Sequence, residues 1–337
     1  MAKLHRVTVD GRTFHARSGQ NLLEAALING VDLPHDCRAG QCGSCLARVR
    51  SGITLGGATQ SPGMVHACQA MVLSDLDLEI EPLPAVSTAK GKVEQIVQIG
   101  EDILEVRIAS RSALGILPGQ YCRVTFRGFP ARCFSPTVPL DGVPPESAGE
   151  IRLHIKKVRG GCVTPHIGEG IRAGHAVSIE GPLGSAFLRP GLGNRLVLVG
   201  SGTGFAPVWA IATAALAESP SRPITLLASS RSRGGFYMRP ALAAIVQHHS
   251  VGLLPCIEEA RDRSCGYLPG SPLAWLPEMT SDDIVYAAGA PRIVEAVGES
   301  AAAAGATFYA DPFLPQGQPR ASSPGLMDRA RAWLLAG

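Results

Sequence analysis

The 337-residue sequence has little charge, few aromatic side chains and no long run of lysine or arginine. Only 18% of its residues are charged and its formal net charge is +3, so it lacks the clustered basic surface that binds nucleic acid. No stretch approaches the roughly 18 consecutive apolar residues of a membrane-spanning helix. The first residues alternate polar and apolar side chains, without the continuous apolar core of a signal peptide. We therefore expect a cytoplasmic protein that binds neither nucleic acid nor membrane.

Length and hydrophobic content indicate several globular domains. Hydrophobic residues make up 45% of the chain, which is enough to fill large cores, and domains of about 100 to 200 residues are usual. No internal repeat is present, and we expect a monomer. An amino-terminal domain, a linker rich in proline and small residues, two further domains and a carboxyl-terminal extension are predicted at residues 1–82, 83–91, 92–192, 193–315 and 316–337.

The three domains have three different hydrophobic patterns. Residues 4–9 and 13–16 are predicted to form a hairpin, and a helix capped by Ser18 follows and ends at Gly30, which is typical of a β-grasp fold. Short alternating segments in the second domain predict an antiparallel β-barrel. Continuous apolar runs and alanine-rich helical stretches in the third predict an α/β domain with a parallel sheet. The predicted fold class is multidomain, α+β and α/β.

Four of the nine cysteines follow a known spacing. C-x4-C-x2-C, with a fourth cysteine after a gap of 22 residues, is the pattern of a plant-type 2Fe-2S cluster, which needs two thiolates for each iron. Gly40 and Gly43 let the loop bend so that N–H groups point at the sulfur atoms. The predicted metal ligands are Cys37, Cys42, Cys45 and Cys68.

A structural zinc site and ordinary buried thiols are the alternatives for these four residues. Zinc sites usually pair two C-x2-C knuckles, whereas the second half of this pattern is a single cysteine, so the spacing favours the iron–sulfur cluster. The remaining cysteines have no such spacing and are expected to be packing residues. They are Cys122, Cys133, Cys162, Cys256 and Cys265.

A group of residues in the second domain predicts a site for a cofactor with a pyrophosphate. A fixed guanidinium at Arg132 can clamp such an anion, and Phe134 can stack on an apolar ring system. The pair Gly160 and Gly161 precedes Thr164 and a short helix-like stretch, whose N–H groups can bind the same anion. Each residue also has an ordinary interpretation as surface charge, core or turn, and the pattern alone leaves both interpretations equally open.

A glycine-rich turn follows the first predicted strand of the third domain. Its backbone can approach a diphosphate at the N-terminus of the next helix. Phe205 stands where the Rossmann fingerprint has its third glycine, so the turn predicts a nucleotide without specifying which one. A second turn at Gly289 is expected to line the same crevice. Tight loops in an empty α/β domain are the alternative. The residues of the first turn are Gly200, Gly202, Thr203 and Gly204.

Taken in their order along the chain, these motifs resemble those of the ferredoxin–NADP reductase superfamily. Within that superfamily, they most resemble the reductase components of bacterial aromatic-ring dioxygenases of the naphthalene dioxygenase type. The resemblance covers about residues 4–315, with a cluster domain, a flavin domain and a nicotinamide domain in succession. It rests on matching segments at residues 37–45, 154–164, 181–184, 200–207 and 309–313.

The resemblance implies roles for single residues. Arg132 and Phe134 belong to the flavin signature, while Ser135, near the reactive flavin nitrogen, and Phe313, near the flavin ring, would act in catalysis. The FAD site would be completed by His154, Lys156, Gly160, Gly161, Val163 and Thr164. The nicotinamide nucleotide would be held by Gly200, Gly202, Thr203, Gly204 and Gly289.

Three positions qualify this assignment. Phe134 replaces the tyrosine of the family signature and so lacks a hydroxyl that could hydrogen-bond the ribityl chain. Ala288 stands where many relatives carry a cysteine beside the nicotinamide. The resemblance favours NADH over NADPH, but Arg231 lies where a 2′-phosphate can be bound.

The resemblance also implies the activity. Hydride from NADH would reduce FAD, and electrons would leave singly through the 2Fe-2S cluster to a Rieske ferredoxin or a terminal oxygenase. Two alternatives remain open. One is the reductase of a di-iron monooxygenase, which is built from the same modules, and the other is a non-catalytic zinc-stabilised protein that binds a nucleotide.

Overall fold

The computed structural model describes residues 3–59, 63–141, 149–191, 194–261 and 266–314. The predicted carboxyl-terminal extension at 316–337 and Cys265 lie outside the described residues. In the part of the chain that is described, no helix is long and apolar enough to cross a bilayer.

The amino-terminal domain has the predicted β-grasp fold. Its elements are β1 (Leu4–Val9), β2 (Arg12–Arg17), α1 (Leu22–Ile28), β3 (Leu46–Ser51), β4 (Thr54–Leu55), β5 (Met64–His66), β6 (Met71–Val72) and β7 (Leu76–Ile80). The main sheet has the order β2-β1-β7-β3-β5, with β1 and β7 parallel. The helix is capped by Asn21 and not by Ser18, because Asn21 Oδ1 accepts a hydrogen bond from the Glu24 amide at 3.1 Å.

The second domain is an antiparallel sheet of seven strands. Its elements are β8 (Ser87–Gln98), β9 (Ile103–Ser110), β10 (Tyr121–Phe126), β11 (Arg132–Phe134), β12 (Pro136–Thr137), β13 (Glu150–Lys156) and β14 (Ala176–Leu183). The strand order is β11-β10-β14-β8-β9-β13-β12. The two edge strands, β11 and β12, are separated in the chain by Ser135 alone, so the sheet curves back on itself at this residue. The predicted barrel therefore has its seam at Ser135.

Strand β8 begins inside the predicted linker 83–91. Residues 87–92 pair with β14, from Gly181 back to Ala176. Two of the small residues that suggested a linker fit the barrel interior: Ala89 and Gly91 are buried, and a β-carbon on Gly91 would lie 2.6 Å from the carbonyl oxygen of Ala109. Composition alone cannot distinguish a small residue in a linker from one required by close packing of strands.

The third domain is the predicted parallel α/β domain. Its elements are β15 (Leu196–Ser201), α2 (Phe205–Glu218), β16 (Ile224–Ser230), α3 (Arg239–Ile245), β17 (Val251–Ile257), β18 (Leu268–Pro269), β19 (Ile284–Gly289), α4 (Pro291–Ala303) and β20 (Thr307–Pro312). The strand order is β18-β17-β16-β15-β19-β20, and each pairing is parallel. The chain changes direction across the sheet between β15 and β19, which opens a crevice at their carboxyl ends.

Candidate functional site

The four predicted cluster cysteines form two pairs. Cys42 hydrogen-bonds to Cys37, and Cys45 to Cys68, and these bonds lower the pKa of the Cys37 and Cys68 thiols. Among the described residues, no three Cys, His, Asp or Glu side chains form a site for a single metal ion. Two pairs of sulfur atoms, each with one thiol that deprotonates readily, suit two irons with two cysteine ligands each.

Backbone N–H groups of the loop point at the sulfur atoms. Cys42 N donates to Cys37 Sγ at 3.4 Å, and Gly40 N donates to Cys68 Sγ at 3.2 Å. Gly40 and Gly43 have φ angles of 70° and 71°, in the left-handed region that glycine adopts at little cost. Such bonds stabilise negative charge on sulfur, so the loop fits a 2Fe-2S cluster.

The structure brings Arg132 to the glycine turn at residues 160–164. Its Nη2 contacts Cys162 Sγ, although 30 residues separate them. Gly160 has a φ of 76°, and Thr164 Oγ1 accepts a hydrogen bond from Val158 N at 3.0 Å, which closes the turn. A guanidinium beside a tight glycine turn fits a pyrophosphate.

The helix expected after this turn is a single 3-10 turn, Thr164–His166. Pro165 lies in its first turn and supplies no N–H, and Gly168, with a φ of 93°, follows it. An anion here would therefore meet Arg132 and the backbone of the glycine turn, and no helix N-terminus. Val163 is 1% exposed and packs in the barrel core, so it offers an anion only its backbone.

The side chain of His154, another predicted flavin residue, lies inside the protein. Its side chain is fully buried, with Nε2 3.5 Å from Glu105 Oε2 and Nδ1 3.2 Å from the Tyr237 hydroxyl. Burial lowers the pKa of His154, although Glu105 acts against this. Tyr237 belongs to the α/β domain, so His154 lies at the junction of the two domains. These side-chain contacts leave the backbone of His154 as the part that could face the flavin, and its assignment to the flavin site stays a prediction.

Two other predicted flavin residues are engaged with the barrel. Lys156 Nζ lies 3.2 Å from Asp102 Oδ2 on the surface. Phe134 is half-buried and packs against the barrel core, and its carbonyl oxygen accepts from Cys122 Sγ at 3.5 Å. Neither contact prevents a role at the flavin, and both assignments stay predictions.

At the barrel seam, Ser135 meets the carboxyl end of β20. Ser135 is buried, and its Oγ donates to Asp311 Oδ2 at 2.7 Å. Burial raises the pKa of Asp311 to about 6, although the Ser135 hydrogen bond opposes this. Asp311 lines a small cavity with Tyr286 and Ala288. Phe313 follows, and its N–H donates to the second glycine turn at 2.8 Å. The sequence did not single out Asp311, whose only signal was its place in the segment 309–313.

The two glycine turns of the α/β domain contact each other where β15 and β19 end. A β-carbon at Gly204 would collide with the carbonyl of Ala288, and one at Gly289 would collide with Ser201. Ser201 Oγ also accepts from Ala290 N at 2.7 Å. Both glycines are therefore required for the close approach of the turns, and the prediction that the turns share one crevice is confirmed.

The first turn also leaves part of its backbone open. Gly202 has a φ of 56°, and its missing β-carbon would have no neighbour within 4 Å. Gly202–Gly204, which includes Thr203, is a 3-10 turn that leads directly into α2. Gly200, in contrast, serves the packing of β15 against α2. A β-carbon on Gly200 would lie only 2.7 Å from the Cα atom of Phe205. The open turn at the start of α2 fits a diphosphate.

Arg231 is already paired at the end of β16. Its Nε lies 3.2 Å from Glu259 Oε1, and both side chains are exposed. The same two residues are also joined by a backbone hydrogen bond, in which Glu259 N donates to Arg231 O at 3.0 Å. A carboxylate therefore faces the guanidinium that was predicted to bind a 2′-phosphate.

Comparison with known proteins agrees with this division of the chain. Residues 7–73 match the 2Fe-2S iron–sulfur cluster binding domain, residues 90–187 the oxidoreductase FAD-binding domain and residues 198–299 the oxidoreductase NAD-binding domain.

Similarity to single proteins extends over nearly the whole chain. The chain is 31% identical over 328 residues to the ferredoxin–NAD(P)+ reductase component of the naphthalene 1,2-dioxygenase/salicylate 5-hydroxylase systems of Ralstonia, covering 90% of this chain and 96% of the relative. It is 29% identical over 322 residues to the corresponding component of the Pseudomonas putida naphthalene 1,2-dioxygenase system, covering 89% and 95%. The crystal structure of a cytochrome P450 reductase from Amycolatopsis superposes with a TM-score of 0.67 at 28% identity, covering 92% and 99%.

Fold, thiol pairs and nucleotide turns together define an NAD(P)H oxidoreductase that uses a 2Fe-2S cluster and FAD. The chain belongs to the ferredoxin–NAD(P)+ reductase family, and it is similar to the reductase components of aromatic-ring dioxygenases. The predicted family, fold class and cofactors are thereby confirmed.

Proposed function

We propose that this chain oxidises NADH and delivers single electrons to the Rieske ferredoxin or the terminal oxygenase of an aromatic-ring-hydroxylating dioxygenase. One observation carries the proposal: the Ser135–Asp311 hydrogen bond joins the seam of the predicted flavin barrel to the crevice of the nucleotide domain. The same chain holds the two cysteine pairs that suit the cluster. Bound FAD and the 2Fe-2S cluster supply the redox chemistry. All eight cysteines of the described part are thiols, which supports work in a reducing compartment such as the cytoplasm.

We assign the binding groups by their surroundings. One iron would be held by Cys37 and Cys42, and the other by Cys45 and Cys68. Arg132 and the turn at 160–164 would bind the FAD pyrophosphate. The open backbone of the 3-10 turn before α2 would hold the diphosphate of NADH, with Phe313 beside the flavin ring.

Ser135 and Asp311 are suited to move a proton. Oxidation of one NADH yields two electrons and one proton, and a one-electron acceptor is reduced twice for each NADH. Asp311 Oδ2 accepts a hydrogen bond from Ser135 Oγ, so the pair offers a path by which that proton reaches a carboxylate. The raised pKa of Asp311, about 6, suits a group that both accepts and releases a proton.

Reconstitution with purified acceptors tests the proposed partner. We expect NADH oxidation by this chain to reduce a Rieske ferredoxin or a ring-hydroxylating oxygenase. The similarity to a cytochrome P450 reductase makes a P450 the second candidate, and a di-iron hydroxylase the third. If only a P450 or a di-iron hydroxylase accepts electrons, the dioxygenase assignment is wrong while the reductase activity stands.

We further propose that the chain prefers NADH to NADPH because Glu259 forms an ion pair with Arg231, and its negative charge would repel the 2′-phosphate of NADPH. Glu259→Gln should raise kcat/KM for NADPH about fivefold, which is the effect expected from removing one nearby charge in a solvated site. The kcat/KM for NADH should change little. Glu258→Gln is the matched control, because it removes the same charge one residue away. Steady-state rates with both nucleotides decide the matter, and equal NADPH rates in the two variants would exclude Glu259 as the determinant.

A further inference from the structure

Residues 181–189 run from the end of β14 towards the α/β domain, and all of them are buried. This segment, which we call the junction segment, contacts all three domains. Ser185 lies so close to Gly43 of the cluster loop that a β-carbon on Gly43 would collide with its hydroxyl. The carbonyl oxygen of Phe187 accepts from the Tyr286 hydroxyl of the α/β domain at 2.9 Å. The segment therefore lies where the three domains meet.

Arg189 ends the junction segment and connects the outer two domains. Its Nε and Nη2 donate to the two carboxylate oxygens of Glu81 at 2.6 and 2.7 Å. The guanidinium also lies over the rings of Phe187 and Tyr309, 3.5 and 4.3 Å from their centroids. Glu81 directly follows β7 of the cluster domain, and Tyr309 is in β20 of the α/β domain.

This arrangement uses properties that arginine has and lysine lacks. Only a planar guanidinium makes two parallel hydrogen bonds to a carboxylate and stacks on aromatic rings at the same time. Arg189 is 7% exposed, so its charge depends on Glu81 for compensation. Removing either partner should loosen the contact between the domains.

A second contact holds the cluster domain against the barrel. Asp36, the residue before Cys37, contacts the Arg123 guanidinium and the Tyr121 hydroxyl of β10. Arg123 also pairs with Glu180 of β14 at 2.8 Å. The cluster loop thus rests on the barrel through Asp36, and the end of the cluster domain rests on Arg189.

We propose that Arg189 and Glu81 are positioning residues for electron transfer within the chain. Their ion pair fixes the cluster domain against the barrel and the α/β domain, and so fixes the separation that electrons must cross. The inference rests on the proposed function, since both electrons of each NADH cross this junction one at a time to reach a one-electron acceptor. Neither residue touches a predicted cofactor site.

Two variants and a matched control in the full-length, cofactor-loaded protein test this inference. Glu81→Gln and Arg189→Lys should slow NADH-dependent reduction of cytochrome c, which takes electrons from the cluster, by about tenfold, because small misplacements have large kinetic effects. Reduction of ferricyanide, which takes electrons from the flavin, should change less than about twofold. Glu79→Gln is the control: Glu79 also pairs with an arginine at 2.7 Å, but with Arg50 of its own domain and on the surface.

Hydrogen exchange supplies a readout that does not depend on activity. Glu81→Gln and Arg189→Lys should speed amide exchange in peptides covering residues 36–45 and 184–189, and Glu79→Gln should not. The inference is overturned if Glu81→Gln behaves like Glu79→Gln, or if ferricyanide and cytochrome c reduction fall by the same factor. A wild-type protein that reduces neither acceptor with NADH would instead overturn the proposed function.

Discussion

Replacing Cys42 by serine is expected to abolish NADH-dependent reduction of cytochrome c while ferricyanide reduction continues near the wild-type rate. Cys42 forms one of the two sulfur pairs with Cys37, and a serine hydroxyl does not ionise readily enough to replace a thiolate ligand. The nucleotide crevice and the barrel seam are built by other parts of the chain, so hydride transfer should persist. Steady-state assays with the two acceptors measure the separation.

Cys256→Ser is the matched control for this loss. Cys256 is a buried thiol of the α/β domain whose Sγ donates to the carbonyl oxygen of Gly270 at 3.2 Å, a bond that a serine hydroxyl can keep. Both acceptors should be reduced at close to wild-type rates in this variant. Loss of both activities in Cys42→Ser, with FAD still bound, would contradict the division of labour between the domains.

Replacing Ser135 by alanine should lower kcat for NADH-dependent ferricyanide reduction by about a hundredfold, as expected when a positioned proton-transfer group is lost. The substitution removes the hydroxyl that donates to Asp311 at 2.7 Å. Thr137→Val is the control at the same interface, since Thr137 Oγ1 donates to Ala206 O at 2.8 Å without touching Asp311. Equal losses in the two variants would show that Ser135 serves only domain packing.

The pH dependence of the same reaction tests Asp311. Burial raises its pKa to about 6, so the carboxylate that accepts a proton forms as the pH rises through about 6, and kcat should rise with it. Asp311→Asn should be slow at every pH. The raised pKa also means that stability present at low pH is lost as the pH rises from about 4 through about 6, a loss of about 3 kcal/mol that the asparagine variant should escape. This role would be contradicted if kcat and the free energy of unfolding changed with pH in the same direction.

Features fixed by neighbouring residues could be predicted from the sequence. The cluster loop has its ligands within nine residues apart from Cys68, and its spacing and glycines indicated both the metal group and the bend. Strand Leu4–Val9 has the predicted bounds because its buried and more exposed side chains alternate. The glycine turn before α2 was found because close backbone approach leaves only glycine.

Features that depend on distant partners could not be predicted. The Arg189–Glu81 pair joins residues 108 positions apart, and neither residue has a local pattern. His154 contacts Tyr237 of the α/β domain, a partner that no local pattern indicated. Strand β8 extends into the predicted linker because β14 offers it a partner there. In each case the deciding contact comes from another domain or another strand, which local sequence does not encode.

The visible spectrum of the purified full-length protein, recorded without oxygen before and after NADH is added, tests the central claim most directly. The account predicts overlapping flavin and iron–sulfur bands that NADH bleaches, in a protein that contains iron and FAD. A colourless protein, or one that contains zinc in place of iron, would contradict it.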